Sequence, residues 1–176
     1  MFAAAPDVFE HAVAGFENAV EAQRPSDVRI ARYEAIASIH ADAVTRDPAS
    51  VRALVGCDGW ATADAARECA RTFLATTGRR LYRRPLEPAE ATRLLARFDE
   101  WRVAIDFEAA VRLTLGVMLQ APQFLYRAEP APAGVAPGSV VPVPSYAMAT
   151  RLAFFLWEST PDDALLDAAA RGELAS

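Results

Sequence analysis

The sequence contains no lysine, so arginine supplies all 18 of its basic residues. With 23 acidic residues, the formal net charge is −5. Domains that bind nucleic acids usually carry a basic excess, and we therefore expect no nucleic-acid partner. The chain also holds 39 alanines. This composition indicates a general bias in residue usage, so an isolated arginine is no sign of a binding or catalytic role.

Sequence motifs of common enzymes are absent as well. The chain has no GxSxG, HExxH or glycine-rich phosphate loop, and it has no CxxC or CxxCH. Its two histidines are His11 and His40. The helical pattern predicts that His40 packs on an apolar stripe, and we expect His11 to be solvated. The sequence therefore predicts no catalytic residue, no metal site and no cofactor in this chain.

No membrane span is expected, because the apolar runs 113–126 and 146–157 are shorter than the roughly 20 residues that a spanning helix needs. The first residues, "MFAAAPDVFEHAV", do not resemble a secretory signal peptide, since they lack a basic segment and reach an acid at Asp7. The abrupt ending "GELAS" suggests a piece of a longer protein.

Cysteine is scarce: Cys57 and Cys69 flank the stretch "DGWATADAARE". Their spacing does not fit a redox motif, and no histidine lies near enough in sequence to suggest zinc. The residues alone leave two alternatives, a disulfide or two buried thiols.

The hydrophobic pattern predicts an all-α fold, an irregular multi-helix bundle. A first helix places apolar residues at helical spacing (Phe9, Ala12, Val13, Phe16, Ala19 and Val20). A second helix predicts a buried stripe of Tyr33, Ile36, Ala37, His40 and Val44. Later helices are expected to begin near Thr62, at Pro88 and after Asp106. The segment "FEAAVRLTLGVMLQA" is apolar almost all round and should lie at the centre of the bundle.

A change of composition predicts a domain boundary. Residues 128–144 contain five prolines and two glycines, which is typical of an extended connector. We expect a helical bundle over 1–129, a proline-rich linker over 130–143 and the first helices of a second helical unit over 144–176. The last of these helices is expected to start at Pro161, with Thr160 as its cap.

The stretch "GRRLYRRPLEP" gathers Arg79, Arg80, Arg83 and Arg84 at spacings that place all four on one face of a helix. Their mutual repulsion requires nearby anions. The candidates are internal carboxylates or a bound anion such as a carboxylated sugar or a haem propionate. The internal candidates are Glu87, Glu90, Glu129, Asp162 and Asp163. We favour the internal clamp, and we also expect Arg127 and Arg151, which follow apolar runs, to act as anchors.

Aromatic residues cluster on both sides of the predicted linker. They are Phe124, Tyr126, Phe154, Phe155 and Trp157. A sugar-stacking face is one interpretation of this set. We favour the alternative, in which these rings form an apolar core between the two helical units.

Two long stretches carry a family resemblance. "CARTFLATTGRRLYRRPLEPAE" and "LTLGVMLQAPQFLYRAE" resemble domain of unknown function 1595, most strongly over residues 55–129. "YAMATRLAFFLWESTPDDALLDAAARGEL" resembles the start of domain of unknown function 1592. The resemblance implies a large exported multidomain protein of the kind found in planctomycetes and myxobacteria, often linked to c-type cytochrome domains.

The chain departs from the family pattern at several positions. Ala121 and Gln123 stand where relatives often have a serine and a histidine, and Ala153 and Phe154 replace serine and tyrosine. A threonine that commonly precedes the "PEE" of relatives is Glu87 here. Any chemistry that relatives perform with that serine or histidine is closed to this chain.

The resemblance implies export to the periplasm or cell surface and thereby favours the Cys57–Cys69 disulfide. It also implies that the partners are other domains of the parent chain, such as a c-type cytochrome domain. We interpret the chain as a non-catalytic scaffold or docking module.

Two alternatives remain open. One is part of an extracellular enzyme for polymer breakdown or cytochrome-linked redox chemistry, with its active site completed downstream. The other is an anion- or carbohydrate-binding module that uses the Arg79–Arg84 face. Saturated guanidinium pairs favour the scaffold, exposed unpaired guanidinium groups favour binding, and a deep pocket lined by His40 favours an enzyme.

Overall fold

A computed structural model describes residues 26–127, 129, 134–136 and 138–174. The regular structure in these residues is helical, with no strand among them, which confirms the predicted all-α class. The helices are α1 (Asp27–Val44), α2 (Pro48–Val55), α3 (Ala63–Tyr82), α4 (Pro88–Ala104), α5 (Phe107–Gln120), α6 (Pro122–Leu125), α7 (Ser145–Trp157) and α8 (Asp163–Ala170). The helix predicted over residues 9–20 lies outside the described part of the chain.

Local capping chemistry fixes most of the helix starts. The hydroxyl of Thr62 accepts a hydrogen bond from the Ala65 amide at the start of α3, and the carboxylate of Asp106 accepts one from Ala109 at the start of α5. Pro88 occupies the first position of α4, where its missing N–H has no helical partner to lose. These three starts agree with the sequence prediction.

The last helix begins later than predicted. Asp162, rather than Thr160, caps α8, because its carboxylate accepts a hydrogen bond from the Leu165 amide at 2.8 Å. Pro161 therefore precedes the helix instead of opening it.

Helix α5 lies at the centre of the bundle, as its apolar surface predicted. It packs against α1, α2, α3, α4 and α6. The largest fully buried side chains around it include Phe73, Phe98 and Met118. Phe98 meets Phe107 edge to face with ring centroids 5.4 Å apart, and the Trp60 ring stacks on Phe107 with centroids 4.3 Å apart.

The predicted buried stripe of α1 is correct only in part, since Ala37 of that stripe is buried and Tyr33 is half-buried. Ala37 and Ala41 are the buried residues of this helix, whereas His40, Ile36 and Val44 are exposed. The reason is that α1 carries apolar residues on more than one face, so hydrophobic spacing alone does not identify the face that meets α5. Small alanine side chains allow the close approach of the two helices.

Helices α7 and α8 pack on each other, and neither packs extensively against α1–α6. Within the described ranges, no helix combines the length and apolar character needed to cross a membrane.

Candidate functional site

The four clustered arginines do not share one helix face, in contrast to the prediction. Helix α3 ends at Tyr82, and Arg83 takes a left-handed backbone conformation with φ of 58°. This conformation is uncommon for a residue with a side chain, and it turns the chain sharply. Arg79 and Arg80 therefore lie on the last turn of α3, while Arg83 and Arg84 project in other directions from the turn that follows.

Arg79 and Arg80 reach across to α8. Arg79 Nη2 donates to Asp167 Oδ1 at 2.5 Å. Arg80 binds Asp163 in a bidentate manner, with Nε–Oδ1 and Nη2–Oδ2 distances of 2.9 and 2.5 Å. The hydrogen bond from Arg80 lowers the pKa of Asp163 and the same bond raises the pKa of Arg80. The last turn of α3 is thus joined to α8 by paired charges.

Arg83 is buried, with only 6% of its surface exposed, and its guanidinium group binds backbone carbonyls. Nη1 donates to Leu81 O and Phe124 O at 3.2 Å each, and Nη2 donates to Gln123 O and Tyr126 O at 2.6 and 2.9 Å. Three of these oxygens belong to α6 or its C-terminal cap, where carbonyls lack helical partners and attract a cation. Burial lowers the pKa of Arg83, with the charges of Arg127 and Arg84 adding to this effect.

Arg84 is held inside the bundle by Glu90. Its Nη1 and Nη2 donate to the two carboxylate oxygens of Glu90 at 2.9 and 2.8 Å. Glu90 is itself buried and accepts a further hydrogen bond from the Glu87 amide at 2.8 Å. The hydrogen bonds from Arg84 lower the pKa of Glu90, since they favour its charged form.

Arg127 and Arg151 lie on opposite sides of the connector. The guanidinium carbon of Arg127 lies 4.6 Å from the ring centroid of Phe154 on α7, a cation–π contact. Arg151, also on α7, binds both carboxylate oxygens of Glu129, with Nε–Oε1 at 2.9 Å. Glu129, named above as a candidate partner of the cluster, is therefore paired with Arg151.

Gly78 leaves room on α3 for the side chain of Leu86, which follows the turn after the helix. It is buried, and the isobutyl group of Leu86 lies directly over it. A Cβ atom at position 78 would collide with Leu86 Cδ1 and would press on Cδ2 and Cγ. The absence of a side chain at Gly78 thus permits the observed position of the Leu86 side chain against α3.

Cys57 and Cys69 form a disulfide with a Cα–Cα distance of 5.8 Å, which is usual for this bond. The bridge fastens the loop after α2 to the buried side of α3. Arg52 on α2 also lies over the Trp60 ring in the same loop, 5.6 Å from its centroid.

Two of the open cavities among the described residues are lined by no histidine, cysteine or carboxylate. A groove of about 370 Å³ between α3 and α4 is lined mainly by apolar residues, including Leu74, Leu86 and Leu95. A cavity of about 230 Å³ lies between α1 and the α5–α6 corner and includes Tyr33 and Tyr126. In the described ranges, no group of three potential metal-binding side chains comes together.

The structure also identifies a residue that the sequence reasoning missed. Asp167 binds Arg79, although only Asp162 and Asp163 of this region were named as candidate partners. The signal was present, because Asp163 and Asp167 are four positions apart and therefore share one face of α8. Asp162 is engaged as the helix cap.

The five rings predicted to form an apolar core between the two units do not come together as one cluster. Phe124 packs against the core of the bundle, and Phe154 on α7 contacts Arg127. Phe155 is 84% exposed, and Tyr126 and Trp157 are also exposed. Helix α7 has more apolar side chains than α8 and the bundle cover, and some of them remain exposed. The sequence positions of the aromatic residues therefore do not show which of them lie at the junction. Charged and cation–π contacts occupy the junction instead.

Comparison with family models gives two matches in sequence order. Residues 69–129 match "Protein of unknown function (DUF1595)", and residues 143–176 match "Protein of unknown function (DUF1592)". The first match begins at Cys69, which is narrower than the range of 55–129 predicted for it. No curated protein and no solved structure matches the chain. The chain therefore matches these two family models in the predicted order, DUF1595 followed by DUF1592.

Proposed function

We propose that the chain is a non-catalytic helical docking module of an exported multidomain bacterial protein. In this proposal the bundle of 1–129 holds the helical unit that begins at residue 144, and residues 130–143 are the linker between them. The bundle offers arginines at the end of α3, and the second unit offers carboxylates on one face of α8.

The observation that carries the proposal is the internal occupation of the guanidinium groups. Arg79 and Arg80 bind carboxylates of α8, Arg84 binds Glu90, and Arg83 binds four carbonyl oxygens. An anion would have to displace one of these partners in order to bind. This supports a clamp over the alternative of an anion- or carbohydrate-binding face.

The surroundings of the clamp also support a non-catalytic role. His40 is exposed and does not line either of the two cavities described above. The groove between α3 and α4 has Arg71 at its edge, and Arg71 is paired with Glu68 at 2.9 Å. The residues that line this groove offer no acid, base or nucleophile pair.

Export is the proposed localisation, and the Cys57–Cys69 disulfide supports it because such bonds persist in oxidising compartments. The proposed partners are other domains of the parent protein, with a c-type cytochrome domain suggested by the family resemblance alone. We propose that the module itself works without a cofactor.

Charge reversal tests the docking role. The variant R79E/R80E places two acids against Asp163 and Asp167, and we expect the α7–α8 unit to separate from the bundle. Small-angle X-ray scattering should show a larger radius of gyration. The fourfold variant R79E/R80E/D163R/D167R should restore the compact form, because it reverses both sides of each pair.

A matched control is R71E/R97E, which changes the net charge equally at arginines paired within their own helices. It should leave the radius of gyration unchanged. A compact R79E/R80E protein would contradict the docking role. Calorimetric titration with galacturonate distinguishes the docking role from an anion-binding role. Saturable binding that is lost in R79E/R80E would favour an anion-binding module.

A further inference from the structure

A small cavity lies between the first turns of α1 and the corner where α5 meets α6. Its volume is about 230 Å³, and its walls include Ile30 and Leu125 together with Tyr33 and Tyr126. Binding sites for small molecules are concave and mostly apolar, with a few polar groups in their walls. The volume is below the roughly 300–1,000 Å³ of sites for drug-sized ligands, so the cavity suits a ligand of about one ring.

The wall that α6 contributes is held from inside the bundle. The buried guanidinium group of Arg83 donates to the carbonyl oxygens of Gln123 and Tyr126 at 2.6 and 2.9 Å. The Tyr126 amide donates in turn to the carbonyl oxygen of Pro122 at 2.9 Å. Because these hydrogen bonds fix the backbone around Leu125, this wall is formed before a ligand arrives, and binding requires less ordering of the chain.

Arg29 brings a positive charge to the same cavity. The residue is half-buried, and no carboxylate among the described residues forms an ion pair with it. Asp27 is two positions away and therefore does not share its face of α1. Arg29 thus differs from Arg80 and Arg84, whose guanidinium groups already bind carboxylates of this chain.

The other polar groups of the cavity walls are neutral. The Gln120 side chain donates from Nε2 to the Gly116 carbonyl at 3.0 Å, which leaves its Oε1 as an acceptor. The hydroxyl groups of Tyr33 and Tyr126 have no hydrogen-bond partner within the described ranges. One cation, two hydroxyl groups and one amide, without an acidic side chain, favour an anion with few hydrogen-bonding atoms.

We propose that this cavity binds a small carboxylate whose body is a single apolar ring, as in an aromatic acid. A guanidinium group binds a carboxylate through two parallel hydrogen bonds, and tyrosine rings pack favourably on other rings. A sugar acid fits this cavity less well. Its several hydroxyl groups would lose water without gaining partners beside Ile30, Pro122 and Leu125.

Titration of the full chain with phenylacetate tests the proposal. Methyl signals of Ile30 and Leu125 in NMR spectra report on the cavity, and we expect both to shift in a saturable manner. Arg29→Gln should weaken the binding by about tenfold, because charged hydrogen bonds to the carboxylate are lost. The control is Arg93→Gln, at an exposed arginine of α4 outside the cavity, which should bind phenylacetate as the native chain does.

Two further compounds separate the parts of the proposed ligand. Phenylacetamide has nearly the shape of phenylacetate but no charge, and it should bind about tenfold more weakly. Galacturonate keeps the carboxylate but replaces the apolar ring by a hydroxylated one, and it should also bind more weakly. Equal affinity for phenylacetamide would overturn the recognition of a carboxylate. Tighter binding of galacturonate would overturn the apolar body.

The position of the bound compound is tested by the same spectra. Shifts confined to Leu74 and Leu95 would place phenylacetate in the α3–α4 groove and overturn the proposed site. The absence of saturable shifts at Ile30 and Leu125 would overturn it as well. The R79E/R80E variant should bind phenylacetate normally, since neither arginine lines the cavity. A failure of the docking role would therefore leave this result unchanged.

Discussion

The bundle α1–α6 and the pair α7–α8 are held by different forces. Within the bundle, aromatic and aliphatic side chains such as Phe73, Phe98 and Met118 are fully buried around α5. At the junction with α8, the connecting side chains Arg80 and Asp163 are 63% and 52% exposed. Surface pairs of this kind contribute about 0–1 kcal/mol each, whereas a fully buried large apolar side chain contributes about 1.5–3 kcal/mol.

This difference indicates that the bundle specifies its own fold and that the charged junction specifies an orientation. Bidentate guanidinium–carboxylate pairs are directional, so they can fix how α8 lies on α3 without a large apolar interface. The exposed aromatic residues of α7, Phe155 above all, take no part in this junction. The arginines divide along the same line, since Arg83 and Arg84 act within the bundle and Arg79 and Arg80 act across the junction.

The largest expected effect on stability comes from the removal of a buried ring from the bundle. Phe98→Ala deletes a fully buried side chain beside Phe107, and we expect the free energy of unfolding to fall by about 3–5 kcal/mol. Urea unfolding followed by circular dichroism measures the loss. Phe155→Ala, on the exposed surface of α7, should change the stability by less than about 0.5 kcal/mol. Equal losses for the two variants would remove the distinction between the regions.

Arg83 allows an arginine of the bundle to be compared with the arginines of the junction, because its contacts lie inside the bundle. In Arg83→Lys a single ammonium group replaces a planar fork, and it cannot reach all four carbonyl oxygens that Arg83 binds. We expect a loss of about 2–3 kcal/mol in urea unfolding, since charged hydrogen bonds contribute about 1.5–3 kcal/mol each and the lysine retains some of them. The exposed residue Arg93 provides the control, and Arg93→Lys should be neutral. A neutral Arg83→Lys would mean that the carbonyl contacts do not contribute to stability.

The smallest expected effect concerns the Arg84–Glu90 pair and its dependence on pH. The pKa of Glu90 is lowered in the folded state from an ordinary value of 4.5. The unfolded state therefore takes up the proton first as the pH falls. The stability that Glu90 contributes is fully present above about pH 5 and is lost as the pH drops through the folded-state pKa.

Glu90→Gln should consequently cost about 1–2 kcal/mol at pH 7 and less at pH 3. Urea unfolding of the native chain and the variant at both pH values gives the difference directly. Glu100→Gln is the control, because Glu100 pairs with Arg97 on the surface of α4 and both side chains are largely exposed. A loss that is equal at both pH values would show that the charge of Glu90 is not the source of its contribution.

Much of the fold could be predicted because its signals are local. Thr62, Pro88 and Asp106 begin their helices as expected, since capping oxygens and proline geometry act over three or four residues. The central position of α5 followed from its apolar surface on all sides. The face of α1 that meets α5 could not be predicted, because apolar residues occur on two sides of that helix and only tertiary packing selects between them.

The sequence predicted some of the carboxylates that pair with the clustered arginines, but it did not predict how those arginines are arranged. Glu90 and Asp163 were named as carboxylates for the cluster, and the structure pairs them with Arg84 and Arg80. The arrangement of the four arginines was not foreseen, because it depends on the left-handed conformation of Arg83. Sequence spacing assumes a continuing helix. Pro85 disfavours helical geometry at Arg84, but no local pattern predicts that the helix already ends at Tyr82 with Arg83 in a left-handed conformation.

Gly78 has no side chain, yet it affects the packing beside the turn that carries Arg83 and Arg84. A methyl group at this position would force the Leu86 side chain out of its place, and the open α3–α4 groove lies beside it. Leu86 follows Arg83, Arg84 and Pro85 along the same turn, so the side chain that lies over Gly78 belongs to the segment that carries those two guanidinium groups. A larger residue at position 78 would therefore show how firmly the Leu86 side chain is held against α3, without altering any of the arginines.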